Sequence, residues 1–492
     1  MIQWKFIRQT LLFITLFELV SFLGYFNPTA GKIAFALACI AAIVLTLQKL
    51  EYGLLLALSE LVLGSKGGYL LSFPIENFTL SLRIALFIIV MSVFFLRAFQ
   101  TRRSWQFADL RTHLLPWIPL AVFVLWGMII GIMRDNDFGN VLLDANGYWY
   151  AALLLPAVFA LHNDRKFSAR ALHVLASAVV FLAAKTLILV YLFSHGSAFY
   201  INTLIWYGYR WIRATEVGEI TVMPTNFVRI FMQSHIFILA GFLAALIVFL
   251  RHTDKTARKL ALGCAAVFAG ILLTSFSRSY WVGLAAGLLV FTWLLFMRDG
   301  RITFSLGAIR EKLTLVAVVM GAFLTGGAIL AALIFFPYPR PSAVDLLASL
   351  KDRSLEFGDA ATSSRWNLLP PLLSVVKEHT ILGSGFGTTV TYTSDDPRVR
   401  ETNPSGRYTT YAFEWGYLDI WLKMGLGGLF AFVWLFFSQA RAHLRSLRFH
   451  PIIAVSSLAA LVALFATSIF SPYLNHPLGL GLLIITGLAI KE

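Results

Sequence analysis

Gly270-Ile271-Leu272-Leu273-Thr274-Ser275-Phe276-Ser277-Arg278-Ser279-Tyr280-Trp281-Val282-Gly283 lies at the centre of an apolar stretch running from about residue 260 to 297. As one helix that stretch would be about 57 Å long at 1.5 Å per residue. A hydrocarbon core of about 30 Å takes about 20 helical residues. The stretch must therefore turn, and its only polar break is the Ser/Thr/Arg cluster. Two membrane-spanning helices then meet at Arg278 with almost no loop between them. An arginine at membrane level is costly and usually faces a cavity or an anion; the plainer role is snorkelling to headgroups.

The same reading extends in both directions. Candidate spans fall at about 6–26, 31–48, 50–64, 81–99, 114–133, 145–162, 171–194, 226–250, 260–276, 279–297, 313–336, 410–438, 452–470 and 476–490. The third and the last are short, so about 12–14 transmembrane helices are expected. Composition agrees: 58% of the 492 residues are hydrophobic and 13% charged, against about 45–50% and about 25% in soluble domains. Mean hydropathy is +0.76. A soluble multidomain enzyme, a disordered scaffold and a disulfide-stapled secreted domain are excluded. Alternating strands of barrel type are absent. The expected fold class is all-α, a polytopic integral membrane protein.

Lys5 and Arg8 precede the first apolar run as in a signal peptide. Asn27-Pro28 and a second span follow with no small-residue cleavage site, so the run reads as a retained helix. With the N-terminus inside and spans alternating, the inner segments hold essentially the whole net charge of +15. The positive balance is therefore topology, with both termini cytoplasmic, and does not point to nucleic acid. Cys39 and Cys264 lie in apolar runs and read as small core hydrophobes, with no disulfide or metal framework. There is no His-Glu-x-x-His pattern and no metal site is expected.

Three units follow. Residues 1–336 form a transmembrane bundle with an outer segment at about 195–225, residues 337–409 a large outer loop, and residues 410–492 the last helices. In the loop, Val344 to Leu355 reads as an amphipathic surface helix. Trp366 to Val376 reads as a second, started or kinked by Pro370-Pro371. Gly383-Ser384-Gly385-Phe386-Gly387 reads as a turn. It is not a P-loop, since no Gly-Lys-Ser/Thr follows.

Four constellations carry candidate chemistry. Arg278 is the first. Arg229 enters the next span from the outer side, with Arg210 and Arg213 upstream among Trp206, Tyr207, Tyr209 and Trp211. These are either interfacial cations in an aromatic belt or a phosphate site, because guanidinium forks match phosphate oxygens. Arg365-Trp366 precedes the glycine-rich segment. Glu414 stands at the mouth of the next span, where the apolar side chains of Tyr417, Leu418 and Trp421 would favour its protonated form and suit it to proton transfer. Its plainer role is an ion pair with a nearby arginine. Asp419 and Lys423 are four apart and expected to neutralise one another, and Glu18, Glu60 and Lys185 are expected to pair inside the bundle.

Ser277-Arg278 opening a span, Arg365-Trp366 ahead of Ile381-Leu382-Gly383-Ser384-Gly385-Phe386-Gly387, and Tyr417-Leu418 leading to Gly425 and Gly428 occur in that order. This set, over about 225–438, resembles the O-antigen ligase and polymerase family. The resemblance implies a GT-C-like fold with one large periplasmic loop, in a bacterial inner membrane. It implies an inverting, metal-independent glycosyltransferase without cofactor. Its partners would be an undecaprenyl-diphosphate-linked glycan donor, a glycan or lipid-linked acceptor, and membrane lipids. The family's outer arginines fall on Arg229, Arg278 and Arg365. The family often has His-Asn before Tyr-Leu, where this chain has Glu414-Trp415. Either Glu414 takes the role of that base or the base lies elsewhere. The reading adopted has the arginines on the diphosphate, Glu414 on the acceptor hydroxyl, and Tyr392, Tyr408 and Tyr411 on sugars. A transporter or flippase of lipid-linked saccharides is the alternative.

Overall fold

The structure is a computed structural model and describes residues 4–76, 78–101, 113–164, 166–195, 203–223, 226–298, 301–302, 306–338, 344 and 360–490. It is an all-helical polytopic bundle. Among the described residues nine helices are long and apolar enough to cross a membrane, from Trp4–Phe26 to Gly416–Ser446. Three shorter apolar helices, His235–Arg251, Pro451–Thr467 and Pro477–Leu488, add to them. Among the described residues the strands form four isolated antiparallel hairpins.

Helix ends follow local chemistry. Asn27 caps the helix Pro28–Gln48 by accepting from the Ala30 amide at 3.1 Å, with Pro28 in the first turn. Asp137 and Asp254 cap Phe138–Trp149 and Lys255–Ser275 in the same way. Small residues let helices approach closely. A Cβ on Gly326 would lie 2.5 Å from the Ala266 carbonyl, and one on Gly283 would lie 2.8 Å from the Ala463 carbonyl. Close backbone approach is how helices gain contact where lipid supplies no hydrophobic drive.

Charges inside the bundle are paired, as their desolvation demands. Lys185 binds Glu18 at 2.9 Å. Glu60 pairs with Arg83 at 2.9 Å, and Arg83 also donates to the carbonyls of Ser65 and Lys66. Lys5, Arg8, Lys49, Arg97, Arg251, Lys255, Arg441 and Arg445 sit near the beginnings or ends of helices. The turn at Phe276, the hairpin 219–231 and the segment 468–476 lie together, joined by Arg229 to Ser275 and by Ser471 to Ser279.

Several local expectations are corrected. The span placed at 145–162 is present as the longer candidate crossing Phe138–Asn163, which starts earlier than expected and contains a 3-10 turn, Tyr150–Leu153, between Phe138–Trp149 and Leu154–Asn163. The span placed at 226–250 opens as a strand, Val228–Phe231, because residues 219–222 pair with it; the helix starts only at His235. The helix Ala360–Glu378 runs through both prolines instead of starting there. The amphipathic helix expected from Val344 to Leu355 lies outside the described residues, apart from Val344.

Candidate functional site

The helix Lys255–Ser275 ends on Phe276, which takes the left-handed conformation at φ 47°. That conformation is costly for a non-glycine residue. It reverses the chain within three residues, and Arg278 opens the next helix, Arg278–Phe296. The carbonyls at the end of the first helix are left without helical partners. Arg229 uses one of them: its Nε donates to the Ser275 oxygen at 2.9 Å. The strand Val228–Phe231 brings it there, paired in register with Thr221, and its guanidinium lies 5.1 Å from the Phe231 ring centroid. Arg229 and the Arg278 turn are thus joined directly.

A row of hydroxyls continues from this turn. The Ser277 and Ser279 oxygens are 3.0 Å apart, and Ser471 donates to Ser279 at 3.0 Å. Below them the Tyr280 and Tyr473 hydroxyls meet at 2.5 Å, and Tyr473 donates to the Gln233 carbonyl at 2.9 Å. Burial pushes the Tyr473 hydroxyl well above the ordinary phenol range, so it stays a neutral donor.

Arg365 and Glu414 form an ion pair with each other, and their side chains are 45% and 51% exposed. The plainer role weighed for Glu414, an ion pair with a nearby arginine, is therefore present in the structure. Glu414 also precedes the helix, which starts at Gly416, so Tyr417, Leu418 and Trp421 do not extend a helical face from it. Tyr417 donates to the Phe465 carbonyl and Trp421 to the Thr380 carbonyl. Trp415 donates to the Arg365 carbonyl at 3.1 Å and packs on Trp366 and Phe470, with centroids at 5.4 and 5.8 Å. Phe470 and Ser471 are consecutive. One segment therefore touches the Arg365–Glu414 pair through Trp415 and the Arg278 turn through Ser279.

Tyr392 and Tyr408 face each other across the hairpin, centroids 6.0 Å apart. Burial raises the hydroxyls of Tyr392 and Tyr411, leaving them neutral donors. Arg210 and Arg213 are exposed on the helix Leu204–Ala214, whose inner face is Trp211 and Ile212, with Trp211 packed on Phe22. No contact of theirs leads to Ser275 or Arg365 among the described interactions.

Sequence reasoning missed a buried constellation. Lys423 binds Asp419, as expected, at 2.6 Å, and also Asp144 at 2.7 Å. Asp419 in turn accepts from Asn475. The helix carrying Lys423 breaks at Gly425, φ 68° and ψ −164°. The glycine-rich segment is wedged into that break rather than lying on the surface. Ser384 N donates to the Leu422 carbonyl at 2.6 Å, Gly385 N to Lys423 at 3.2 Å, Phe386 N to Gly127 at 2.9 Å and Gly387 N to Asp144 Oδ2 at 2.8 Å. Cβ atoms are excluded: one on Gly385 would lie 2.2 Å from the Gly131 nitrogen, and one on Gly425 would lie 2.1 Å from the Ile381 carbonyl. An available signal was Asp144 itself, an acid one residue ahead of the candidate span at 145–162 and, in the structure, inside the helix Phe138–Trp149. No three metal-ligating side chains lie together among the described residues.

The family model for O-antigen ligase matches residues 262–433. The match contains Arg278, Arg365, the glycine-rich segment, Glu414 and Lys423; Arg229 and Asp144 lie outside it. It supports an O-antigen ligase- or polymerase-like protein that takes part in polysaccharide assembly. No curated protein matches the chain.

Proposed function

We propose that this protein transfers glycan from an undecaprenyl-diphosphate-linked donor to a glycan or lipid-linked acceptor at the periplasmic face of the bacterial inner membrane. The observation that carries the reading is the junction of Arg229 with the Arg278 turn, connected through Ser471 and Phe470 to Arg365 and Glu414. It gathers cations and one carboxylate at one end of the bundle, within reach of a lipid entering sideways.

The reaction follows from these groups. Arg278 and Arg229 hold the diphosphate and stabilise the charge that grows on it as the glycosidic bond breaks. Arg365 is bound to Glu414 at rest. A diphosphate competes for that guanidinium, since planar forks take phosphate as readily as carboxylate. Donor binding thereby releases Glu414 to act as base. The acceptor hydroxyl gives its proton to Glu414, its oxygen bonds to the anomeric carbon, and the diphosphate leaves with the bonding electrons. One displacement inverts the anomeric centre. The arginines supply the neutralising charge, so the reading is metal-independent. Tyr392, Tyr408 and Tyr411 offer neutral hydroxyls and rings to sugars. Arg210 and Arg213 meet the donor at the headgroup level, before it reaches the Arg278 turn.

A transporter of lipid-linked saccharides is favoured by one observation, the helix broken at Gly425 beside buried charges, a pattern found in transporters. Purified protein with lipid-linked donor in vesicles tests both. Formation of longer or transferred glycan supports transfer; donor movement across the bilayer with no product replaces it with transport.

A further inference from the structure

The buried Asp144–Lys423–Asp419 constellation touches each segment that carries the site. Asp144 Oδ2 receives the Gly387 amide, which roots the segment ahead of the hairpin 390–410. The Lys423 ammonium lies 5.3 Å from the ring centroid of Phe413, the residue before Glu414. Asp419 holds Asn475, in the segment whose Ser471 binds Ser279 beside Arg278. Asp144 and Lys423 side chains are 7% and 3% exposed, and Asp419 is 1% exposed. Two carboxylates around one ammonium are more charge than helix packing requires, and apolar residues would fill the space at lower desolvation cost.

We propose that Asp144, Lys423 and Asp419 are positioning residues that set Glu414 against the Arg278 turn, by fixing the glycine wedge, Phe413 and Asn475 to one buried point. The inference rests on the transfer reading for its consequence on turnover, but not for its geometry. The three side chains form no bond with substrate. They hold three backbone segments. Each of those segments also packs through apolar side chains, Phe386 on Tyr148, Tyr473 and Leu474 in the main core and Phe413 in a smaller cluster; apolar contact tolerates small displacements, whereas ion pairs in a dry site have narrow geometry. An apolar replacement would keep the volume and lose the register.

The test uses full-length protein. Lys423→Met alone leaves two buried carboxylates unpaired and is expected to destabilise or misfold. Lys423→Met/Asp419→Asn/Asp144→Asn removes charge from all three and keeps the packing. Its thermal midpoint should match the parent within a few degrees. With lipid-linked donor, its kcat should fall at least about tenfold while the donor KM stays within about twofold, since the arginines are untouched. Lys423→Arg should retain more turnover than the neutral variant. The second measurement is independent of activity. Spin labels at Glu401→Cys and Ile469→Cys, with Cys39 and Cys264 replaced by alanine, report the separation of the hairpin region from the 468–476 segment. The parent should show one narrow distance distribution and the neutral variant a broad one. A neutral variant with parental stability and an equally narrow distribution overturns the inference, whatever the activity. If the parent makes no product yet the distributions differ, the transfer reading fails and the positioning role stands.

Discussion

The Arg365 guanidinium is the ion-pair partner of the Glu414 carboxylate. Two residues assigned opposite roles, one on the donor and one on the acceptor, hold each other in the unliganded protein. In the proposed reaction this pair keeps the carboxylate occupied until an anion takes the guanidinium.

Glu414→Gln should therefore lower turnover by about 10²–10⁴, and the donor KM should fall, since Arg365 no longer has to leave a carboxylate to meet the diphosphate. The pair is half exposed, so its loss should change stability by no more than about 1 kcal/mol. Product formation under saturating donor and thermal unfolding check the two halves. Wild-type turnover in Glu414→Gln would remove the base assignment and leave the carboxylate as a tether for Arg365.

Arg278→Lys and Arg229→Lys should differ. Both keep charge and lose the two-point fork, so both should raise the donor KM. Arg229→Lys also loses its bond to the Ser275 carbonyl and its stacking on Phe231. It should cost about 1–3 kcal/mol of stability as well. A parental unfolding midpoint for Arg229→Lys would deny Arg229 its part in holding the turn.

Gly425→Ala and Gly385→Ala should each disrupt the wedge. Both positions have positive φ, 68° and 87°, and a Cβ at either meets backbone atoms that cannot swing away. The conformational term alone is about 1–2 kcal/mol, and the contact adds to it. Gly263→Ala, with open space around it, serves as the control and should unfold as the parent does. Yield and unfolding midpoint in one detergent are the measurements.

Asp395 predicts an acid response. The Ser363 hydroxyl at 2.6 Å, followed by Arg400 and Asn367, holds its carboxyl below the usual carboxylate range. A carboxylate lowered in the folded state contributes stability that is complete above its unfolded value of about 3.9. That contribution disappears as pH falls through the lower folded value. The protection factor of the amides at the start of the helix Ala360–Glu378, that is exchange corrected for its intrinsic pH dependence, should fall on acidification from about pH 5 to about pH 3. Ser363→Ala should exchange faster already at the upper pH and respond less to acid.

The expected topology places Glu401 outside and Arg448 inside. A cysteine at Glu401 should react with an impermeant thiol reagent in intact cells. One at Arg448 should react only after permeabilisation. The reverse pattern would invert the protein in the membrane and move the site to the cytoplasm.

Most of the spans and the turn at Arg278 were legible in the sequence. They depend on a local quantity, the length of an apolar run against the thickness of a bilayer. The Asp419–Lys423 pair was legible for the same reason, because four residues is one helical turn. Packing alone decided that Arg365 meets Glu414, that Asp144 joins Lys423 from 279 residues away, and that Arg210 and Arg213 stay on an exposed helix. Only packing turned the Gly383–Gly387 segment inward, into a helix break that it fills with its own amides. Glycines read locally as freedom to turn; whether that freedom serves a surface bend or a close backbone approach depends on which helix lies opposite, and no run of sequence contains that.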